Sequence, residues 1–489
     1  MTDRRMMERA FHRVREELGI RTEFPSEAII GAAEAASAEA WRADGDREDL
    51  TGLPFVTIDP PGSRDLDQAL FLEQADGGVR VHYAIADVAA FVERGGPIEA
   101  EAWRRGVTHY SPDRRDPLYP PSLSQGAASL LADQDRPAIV FDLQLDERGE
   151  LTTTRVFRGI VRSRAQLTYH QALEQIVGAG ERSAEHSFSG SLALLRVVGV
   201  LRLERERKRG GMSLPILDQH VERSAAHRLG YELVYETPNV AESWNAQLSL
   251  LAGHAAAVCM GVGGIGLLRT MPAPRDVDVE RLRVAALALG FDWPEGVSYA
   301  AFLPAVNPTH PHLQVLVWQA RRLMRGAGYF AFSEPLEELP FHSAIALPYA
   351  HCTAPMRRLA DRYVLELLVD FAQGRQPTAE AVGTLAKLPA VMEEVTRRSG
   401  RLERRVLDVA EAWQLRDQVG SIFHALVLDA REEEFEAQLE ELPVRARVSS
   451  RGRPEPRLGQ EVKVKLTAVA LEEGRAEFER AADEATDEG

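Results

Sequence analysis

Cysteine is nearly absent: the 489 residues hold two, Cys259 and Cys352, far apart in the chain. That excludes a disulfide-stapled scaffold and reads as reduced thiols, packed in a core or beside a site, in a cytosolic compartment. Cys352 has no His–Asp relay beside it and is read as packing. No run approaches the roughly 18–20 apolar residues that span a bilayer, so no membrane association is expected. The start, Met1-Thr-Asp-Arg-Arg5, leads into a charged helix without an apolar signal core, which argues against secretion. Lysine is scarce as well. Of 58 basic residues only Lys208, Lys387, Lys463 and Lys465 are lysine. Arginine grips phosphate bidentately and stacks on bases, which suits a narrow nucleic-acid channel, although compositional bias of the organism accounts for most of the preference. An excess of positive charge is missing too: 74 acidic residues give a net charge of −16. This disfavours binding nucleic acid over a whole surface, but an enzyme that encloses a strand needs only a positive channel. What is present, 45% apolar and 27% charged residues over this length, fits a soluble globular protein of two to four domains.

The organising stretch runs from Phe55 to Leu70. Phe55-Val-Thr-Ile58 is a short β-branched apolar run, hence a buried strand, and Pro60-Pro-Gly-Ser63 stops it. Ala69 to Leu72 resumes apolar character, and Asp76-Gly-Gly78 turns a hairpin into Val79–Ala86. One strand–loop–strand unit therefore gathers Asp59, Asp65 and Asp67. Crowded carboxylates repel, and a hard divalent cation with oxygen ligands is the usual compensation. The competing reading is an Asx-rich surface loop in which each Asp caps a turn, and spacing alone leaves both open. A calcium loop does not fit, because its Gly and terminal Glu are missing.

Along the chain, Met7, Phe11, Val14 and Leu18 predict an amphipathic helix, and Pro25-Ser26 opens a second one to Trp41, with Ser26 as N-cap, ended by Asp44-Gly-Asp46. Residues 1–50 are expected to form a helical, helix-turn-helix-like domain, serving as a lid or as a nucleic-acid reader. Strands dominate from 52 to 165, with a second hairpin at Asp146-Glu-Arg-Gly149 and long irregular loops at Tyr110-Ser-Pro and Pro117–Pro121. Helices follow. The basic run Arg202, Arg205, Arg207, Lys208 and Arg209 reads first as a solvated helix end. His310-Pro-His312 reads as the lead-in to a helix and not as a metal pair. Ala379 to Val419 is one or two long helices. Beyond 418, Ile422–Leu428, Val444–Val448 and Val462–Val469 look strand-like, the stretch from Glu432 to Glu441 is strongly acidic, and residues 481–489 read as a disordered acidic tail.

Five motifs in one order carry a resemblance: Asp59-Pro with Asp65-Leu-Asp67-Gln68-Ala; Ala84-Ile-Ala-Asp87; Thr108-His-Tyr110-Ser-Pro; Leu123-Ser124 with Ser129-Leu130; and Thr353-Ala-Pro355-Met-Arg357-Arg358-Leu-Ala-Asp361, followed by Leu402-Glu403-Arg404. Over roughly residues 50–410 the chain resembles the RNB family, the catalytic domain of ribonucleases II and R. It departs at Gln68, where the family usually carries a fourth Asp. Relatives begin with two cold-shock β-barrels, and the first fifty residues here are helical instead.

The resemblance implies an α+β fold: an RNB-type mixed sheet surrounded by helices over 51–417, and an OB-fold β-barrel for RNA over 418–480. It implies a 3′→5′ exoribonuclease of RNA turnover that hydrolyses single-stranded RNA to nucleoside 5′-monophosphates. In-line hydrolysis of this kind uses Mg²⁺, as one or two ions with Mn²⁺ able to substitute, to ionise water and steady the leaving oxygen. The implied ligands are Asp59, Asp65, Asp67 and, through a neutral carbonyl, Gln68; Asp67, Asp65 and Arg357 carry the chemistry. Tyr110 would stack on the terminal base, Arg357 and Arg358 would hold phosphate, with pairing to Asp361 as the alternative for Arg358, and Glu403 and Glu242 are further RNA contacts. A second stacking aromatic would fall near Gly211–Ile216, where Met212-Ser-Leu-Pro supplies none. The expected partner is single-stranded RNA, met by a cytoplasmic monomer without an obligate protein partner. Gln68 and the missing barrels motivate one alternative, a catalytically weak or dead RNA-binding protein. A DNA-binding regulator would need a basic recognition helix, and Ile29–Trp41 is alanine-rich and acidic.

Overall fold

The structure, a computed structural model, describes residues 3–43, 45–178, 188–212, 218–224, 227–236, 239–307, 309–431 and 433–481. The expected acidic tail falls almost wholly outside them. Helices α1 (Asp3–Glu17) and α2 (Ser26–Ala38) form where apolar periodicity placed them. They do not make one helix-turn-helix-like unit. Met7, Phe11 and Val14 of α1 enter a core shared with the C-terminal barrel, whereas Ala32 of α2 joins the core of the central sheet. Pro25, with no side-chain bond to give, holds the N-cap position, so Ser26 is one residue inside the helix. The helix stops at Ala38, earlier than expected, and Trp41 sits in a single turn of 3₁₀ helix.

The central sheet contains β1 (Glu48–Asp49), β2 (Phe55–Ile58), β3 (Gln68–Ala75) and β4 (Gly78–Ala86). After α3 (Pro97–Arg105) and the short pair β5 (His109–Tyr110) and β6 (Arg115–Asp116) come β7 (Asp135–Asp146) and β8 (Leu151–Leu167). Strand order is β1-β8-β2-β3-β4-β7. The 17-residue β8 is antiparallel to β7 along its first part and parallel to β2 at its end, so the sheet returns on itself. Gly78 makes the β3–β4 turn possible: at φ +155° a Cβ there would sit 1.9 Å from the Leu145 carbonyl oxygen.

Helices cover this sheet: α4 (Tyr169–Gly178), α5 (Phe188–Lys208) and, after the hairpin β9 (Asp218–Arg223) and β10 (Tyr231–Glu236), α6 (Val240–Gly263). The basic run at the end of α5 is only in part a solvated helix end: Arg207 and Lys208 are exposed and pair with Glu204 on the same helix. Arg202 is 4% exposed and donates to the Gly149 carbonyl at 3.0 Å, and Arg205 pairs with Glu150, tying α5 to the β7–β8 turn. Helix α6 is long and apolar enough, by length and composition alone, to cross a bilayer, which the sequence reading did not anticipate. Its buried face, with Leu248, Leu251 and Ala255, belongs to the protein core. A third cluster follows, built on α7 (Asp276–Ala288), α8 (Tyr299–Phe302) and α9 (Leu313–Ala320), while β11 (Gly266–Thr270) and β12 (Gly328–Phe332), paired with each other, send Leu267, Leu268 and Phe332 into the central-sheet core. His310 packs against Phe291 with ring centres 3.9 Å apart and planes tilted by 34°.

After α10 (Leu359–Ala372), a single helix α11 (Ala379–Leu415) runs through Pro389 and leads to the barrel. Five strands close it in the order β13 (Ile422–Ala430), β14 (Glu434–Leu439), β15 (Arg445–Ser449), β17 (Arg475–Arg480), β16 (Glu461–Ala470). The acidic stretch thus holds a strand. Phe435, Ala437 and Leu439 alternate inward while the acids face out, a period-2 pattern masked by charge. Phe423 is buried edge-on against Phe478 at 6.2 Å and so serves the barrel core, not base stacking.

Where α11 meets the barrel, Glu411 Oε1 accepts from Gln219 Nε2 at 2.7 Å and from the Arg445 N–H at 3.1 Å. Burial pushes this carboxyl up to about 7, against the pull of those donors. A carboxyl whose folded value exceeds its unfolded one is favoured by its proton, so stability is lost as pH rises from about 4.5 to about 7. Glu411→Gln keeps the acceptor oxygen. We expect no effect near pH 4.5 and a gain of about 2 kcal/mol at pH 8 in denaturant unfolding. An equal gain at both pH values would show that ionisation is not the cause.

Candidate active site

The carboxylate loop is shaped by local chemistry. Strand β2 ends at Ile58, and the Asp59 N–H bonds the Leu167 carbonyl at 3.0 Å. Pro61 and Gly62 then take the central positions of a turn closed by Ser63 N–H to Pro60 O at 3.2 Å, and Gly62, at φ +77°, supplies the positive φ of a type II turn. Leu66 is fully buried and anchors the return. Its N–H donates to Ser129 Oγ at 3.0 Å, Ser129 Oγ donates to the Arg64 carbonyl at 2.6 Å, and Leu130 N–H bonds the Leu66 carbonyl at 3.0 Å. The Ser129-Leu130 motif therefore pins the segment between Asp65 and Asp67.

Across from this loop lies Ala354–Arg358. Thr108 N–H bonds the Arg357 carbonyl at 2.9 Å and Val107 bridges Arg358, so the Thr108–Tyr110 motif fixes the backbone of the arginine motif. Asp67, 2% exposed, bridges the two halves: Oδ1 accepts the Met356 N–H at 2.8 Å and Oδ2 accepts Arg357 Nε at 2.9 Å. The terminal amino groups of Arg357 make no hydrogen bond among the described residues, and its side chain is 42% exposed. Asp65 is held from the other side, with Arg115 Nη1 on Oδ1 at 2.9 Å and the Tyr110 hydroxyl on Oδ2 at 3.3 Å. The Oδ2 atom of Asp59 is buried with no hydrogen-bond partner.

Burial first, then the Asp67 charge, pushes the Asp59 carboxyl up to about 7, with Arg357 pulling the other way. Burial also raises Asp67, to about 6, against Arg357 and the Met356 N–H. These hard oxygen donors, one of them unsatisfied, fit a divalent cation. No three His, Cys, Asp or Glu side chains close into a ready ligand cage among the described residues. Arginines pair with two of the three carboxylates, Arg115 with Asp65 and Arg357 with Asp67.

Other expected site residues fall elsewhere. Gln68 does not offer a spare carbonyl. Its Oε1 receives the Tyr83 hydroxyl at 2.7 Å and Ser249 Oγ at 3.4 Å, and its Nε2 donates to the Thr353 carbonyl at 2.6 Å, so it braces β3 against β4, α6 and the arginine motif. Arg358 is committed to the fully buried Asp361 through three contacts of 2.8–3.2 Å, the alternative allowed for it above. Glu242, in the first turn of α6, and Asp59 both act on Tyr169, whose hydroxyl is pushed up to about 12 mainly by burial. Glu403 is exposed on α11. Residues Ser213 to Leu217, where a second stacking aromatic was sought, lie outside the described residues. Sequence reading missed Arg115, Tyr83 and Arg15. Arg15 is 2% exposed and clamps Asp113, two residues before Arg115, with bonds of 2.6 and 2.7 Å. The signal for Arg115 was available in Pro112-Asp-Arg-Arg-Asp-Pro117, four charges confined between prolines.

Comparison with known proteins bears on this geometry. The RNB domain profile matches residues 47–374, and that of the RNase II-type exonuclease C-terminal S1 domain matches 421–481. Ribonuclease R of Aquifex aeolicus is 28% identical over 88% of this chain and 64% of its own length. Ribonuclease R of Escherichia coli is 27% identical over 94% of this chain and 58% of its own. The chain thus spans about three fifths of the length of these relatives. The apo form of Mycoplasma genitalium RNase R superposes with a TM-score of 0.85 at 21% identity, over 96% of this chain and 77% of that one. Asp59, Asp65, Asp67 and the arginine motif they face all lie within the RNB match, and the chain belongs to the RNB domain family.

Proposed function

We propose that this protein is a 3′→5′ exoribonuclease that hydrolyses single-stranded RNA to nucleoside 5′-monophosphates. The observation that carries the reading is the Asp67–Arg357 pair, set between two further carboxylates and leaving the arginine's terminal amino groups available. A guanidinium so held presents a fork to a scissile phosphate and stabilises charge that develops there. Asp67 fixes that fork and Asp361 fixes the neighbouring Arg358. Tyr110, 47% exposed, offers its ring to the terminal base while its hydroxyl rests on Asp65. Mg²⁺, with Mn²⁺ able to substitute, would be held at Asp59 beside the protein-paired Asp65 and Asp67, and the bound cation would lower the pKa of a water and offset phosphate charge. The reading places a monomer in the cytoplasm, in agreement with two unpaired cysteines.

A time course on 5′-labelled single-stranded RNA and matched DNA, with either metal, tests this. Stepwise shortening of RNA alone supports it; intact RNA that remains tightly bound favours a binding protein without catalysis. That second reading draws on Gln68, spent as a brace, and on the occurrence of a pseudonuclease, yeast Ssd1, on a similar fold (TM-score 0.69).

Removing the stacking ring should be felt mainly in binding. Tyr110→Ala is expected to weaken short-oligonucleotide affinity by about 1–3 kcal/mol, as for one base–aromatic stack, and to lengthen the final product. Fluorescence anisotropy and product sizing on gels read both. Unchanged affinity would remove Tyr110 from the RNA path.

A further inference from the structure

We propose that Arg115 acts as a resident cation at Asp65, so that the three-carboxylate site takes one divalent ion, at Asp59, instead of two. This deepens the nuclease reading and rests on it. Of the three carboxylates, two already have fixed partners within the protein. Both Asp67 oxygens are occupied, by Arg357 and by the Met356 N–H. Both Asp65 oxygens are occupied as well, by Arg115 and the Tyr110 hydroxyl. Only Asp59 keeps a buried oxygen without a partner. The neighbour that could have added a fourth donor, Gln68, is neutral and spends its amide on Tyr83, Ser249 and Thr353.

Arg115 is placed there by structure. It pairs with Tyr110 across the β5–β6 ladder, one step from His109 opposite Asp116, and its guanidinium carbon lies 5.8 Å from the Tyr110 ring centre. The loop between those strands is clamped by Arg15 on Asp113 and by Arg114 on Asp116 at 2.8 Å. A guanidinium stays charged at every working pH and its fork matches a carboxylate. It can therefore neutralise Asp65 permanently and, at 38% side-chain exposure, still face an incoming phosphate. It cannot ionise water, so that task is left to the single ion at Asp59.

Counting bound Mn²⁺ by electron paramagnetic resonance on the full chain without RNA tests the assignment, with Asp59→Asn as the baseline for sites elsewhere on this acidic surface. Above that baseline the wild type should bind one ion, Arg115→Lys one, and Arg115→Gln two, because Asp65 is then freed. Asp65→Asn should still bind one, which keeps the test valid if Arg115→Gln fails to fold. Two ions in the wild type, none in the wild type, or loss of an ion in Asp65→Asn would each overturn the proposal. The readout is separate from activity: RNA left intact by protein that binds one ion defeats the nuclease reading and leaves the ion count standing.

Discussion

Asp67→Asn is expected to slow RNA degradation by about 10²–10³-fold, the range seen when one preorganised charge-stabilising contact is lost, while the protein stays folded. Asparagine has the same shape and still accepts the Met356 N–H through Oδ1. Its amide nitrogen, however, would meet Arg357 Nε, donor against donor, where a carboxylate oxygen now accepts at 2.9 Å. The guanidinium then loses both its anchor and its charge partner. Stability should move little, or rise, because a carboxylate that is 2% exposed and raised by burial is costly to keep ionised. Initial rates on labelled RNA, measured beside thermal unfolding, separate the two effects. A rate loss below tenfold with unaltered unfolding would mean that Asp67 does not organise the phosphate site.

The second large effect is expected far from the carboxylates. Arg15→Met should destabilise the protein by about 3 kcal/mol, the low end for breaking a buried ion pair from one side. Asp113 would lose both guanidinium bonds, and Asp116, 4.0 Å from Arg15, would lose a neighbouring positive charge. The loop concerned carries Tyr110 and Arg115, so RNA affinity should weaken in the same variant. Arg15→Met combined with Asp113→Leu should regain most of the stability, since an apolar pair leaves no stranded charge. Denaturant unfolding of the single and double variants decides. A single-variant cost under about 1 kcal/mol, typical of an exposed pair, would show that the clamp is not a real anchor of the loop.

Much of this was legible in the residue order. The apolar Phe55–Ile58 strand, the two glycine-turned hairpins and the barrel strands apart from β14 follow from local hydrophobic pattern and turn chemistry. The family motifs located Asp59, Asp65, Asp67, Tyr110 and Arg357 in one site, because a motif preserves what a long-range contact needs. Partner choice was not legible. Whether Arg358 faces phosphate or Asp361, three residues on, and whether Gln68 faces a cation or Tyr83, fifteen residues on, depends on side-chain direction, which residue order does not encode. The two N-terminal helices misled for a similar reason. Their amphipathic faces were plain, but nothing in the face of α1 says that it covers α11 and the barrel and not its neighbour α2. Strand β14 was hidden because its exposed positions are acidic, and charge density drew attention from the inward Phe435, Ala437 and Leu439.

Helix α11 gives the molecule one last property. At 37 residues it is about 55 Å long. Its first half sends Leu385, Leu388, Met392 and Val395 into the core of the central sheet, and its second half sends Leu402, Val406, Val409 and Trp413 into the barrel core. The same rod is thus a wall of both rooms. Cutting the chain after residue 417 would leave those four second-half side chains without a lid, and cutting before 379 would strip Leu385, Leu388, Met392 and Val395 from the core of the central sheet. The parts named as two domains should therefore melt in one transition, and a barrel expressed alone should need the second half of α11 to stay in solution.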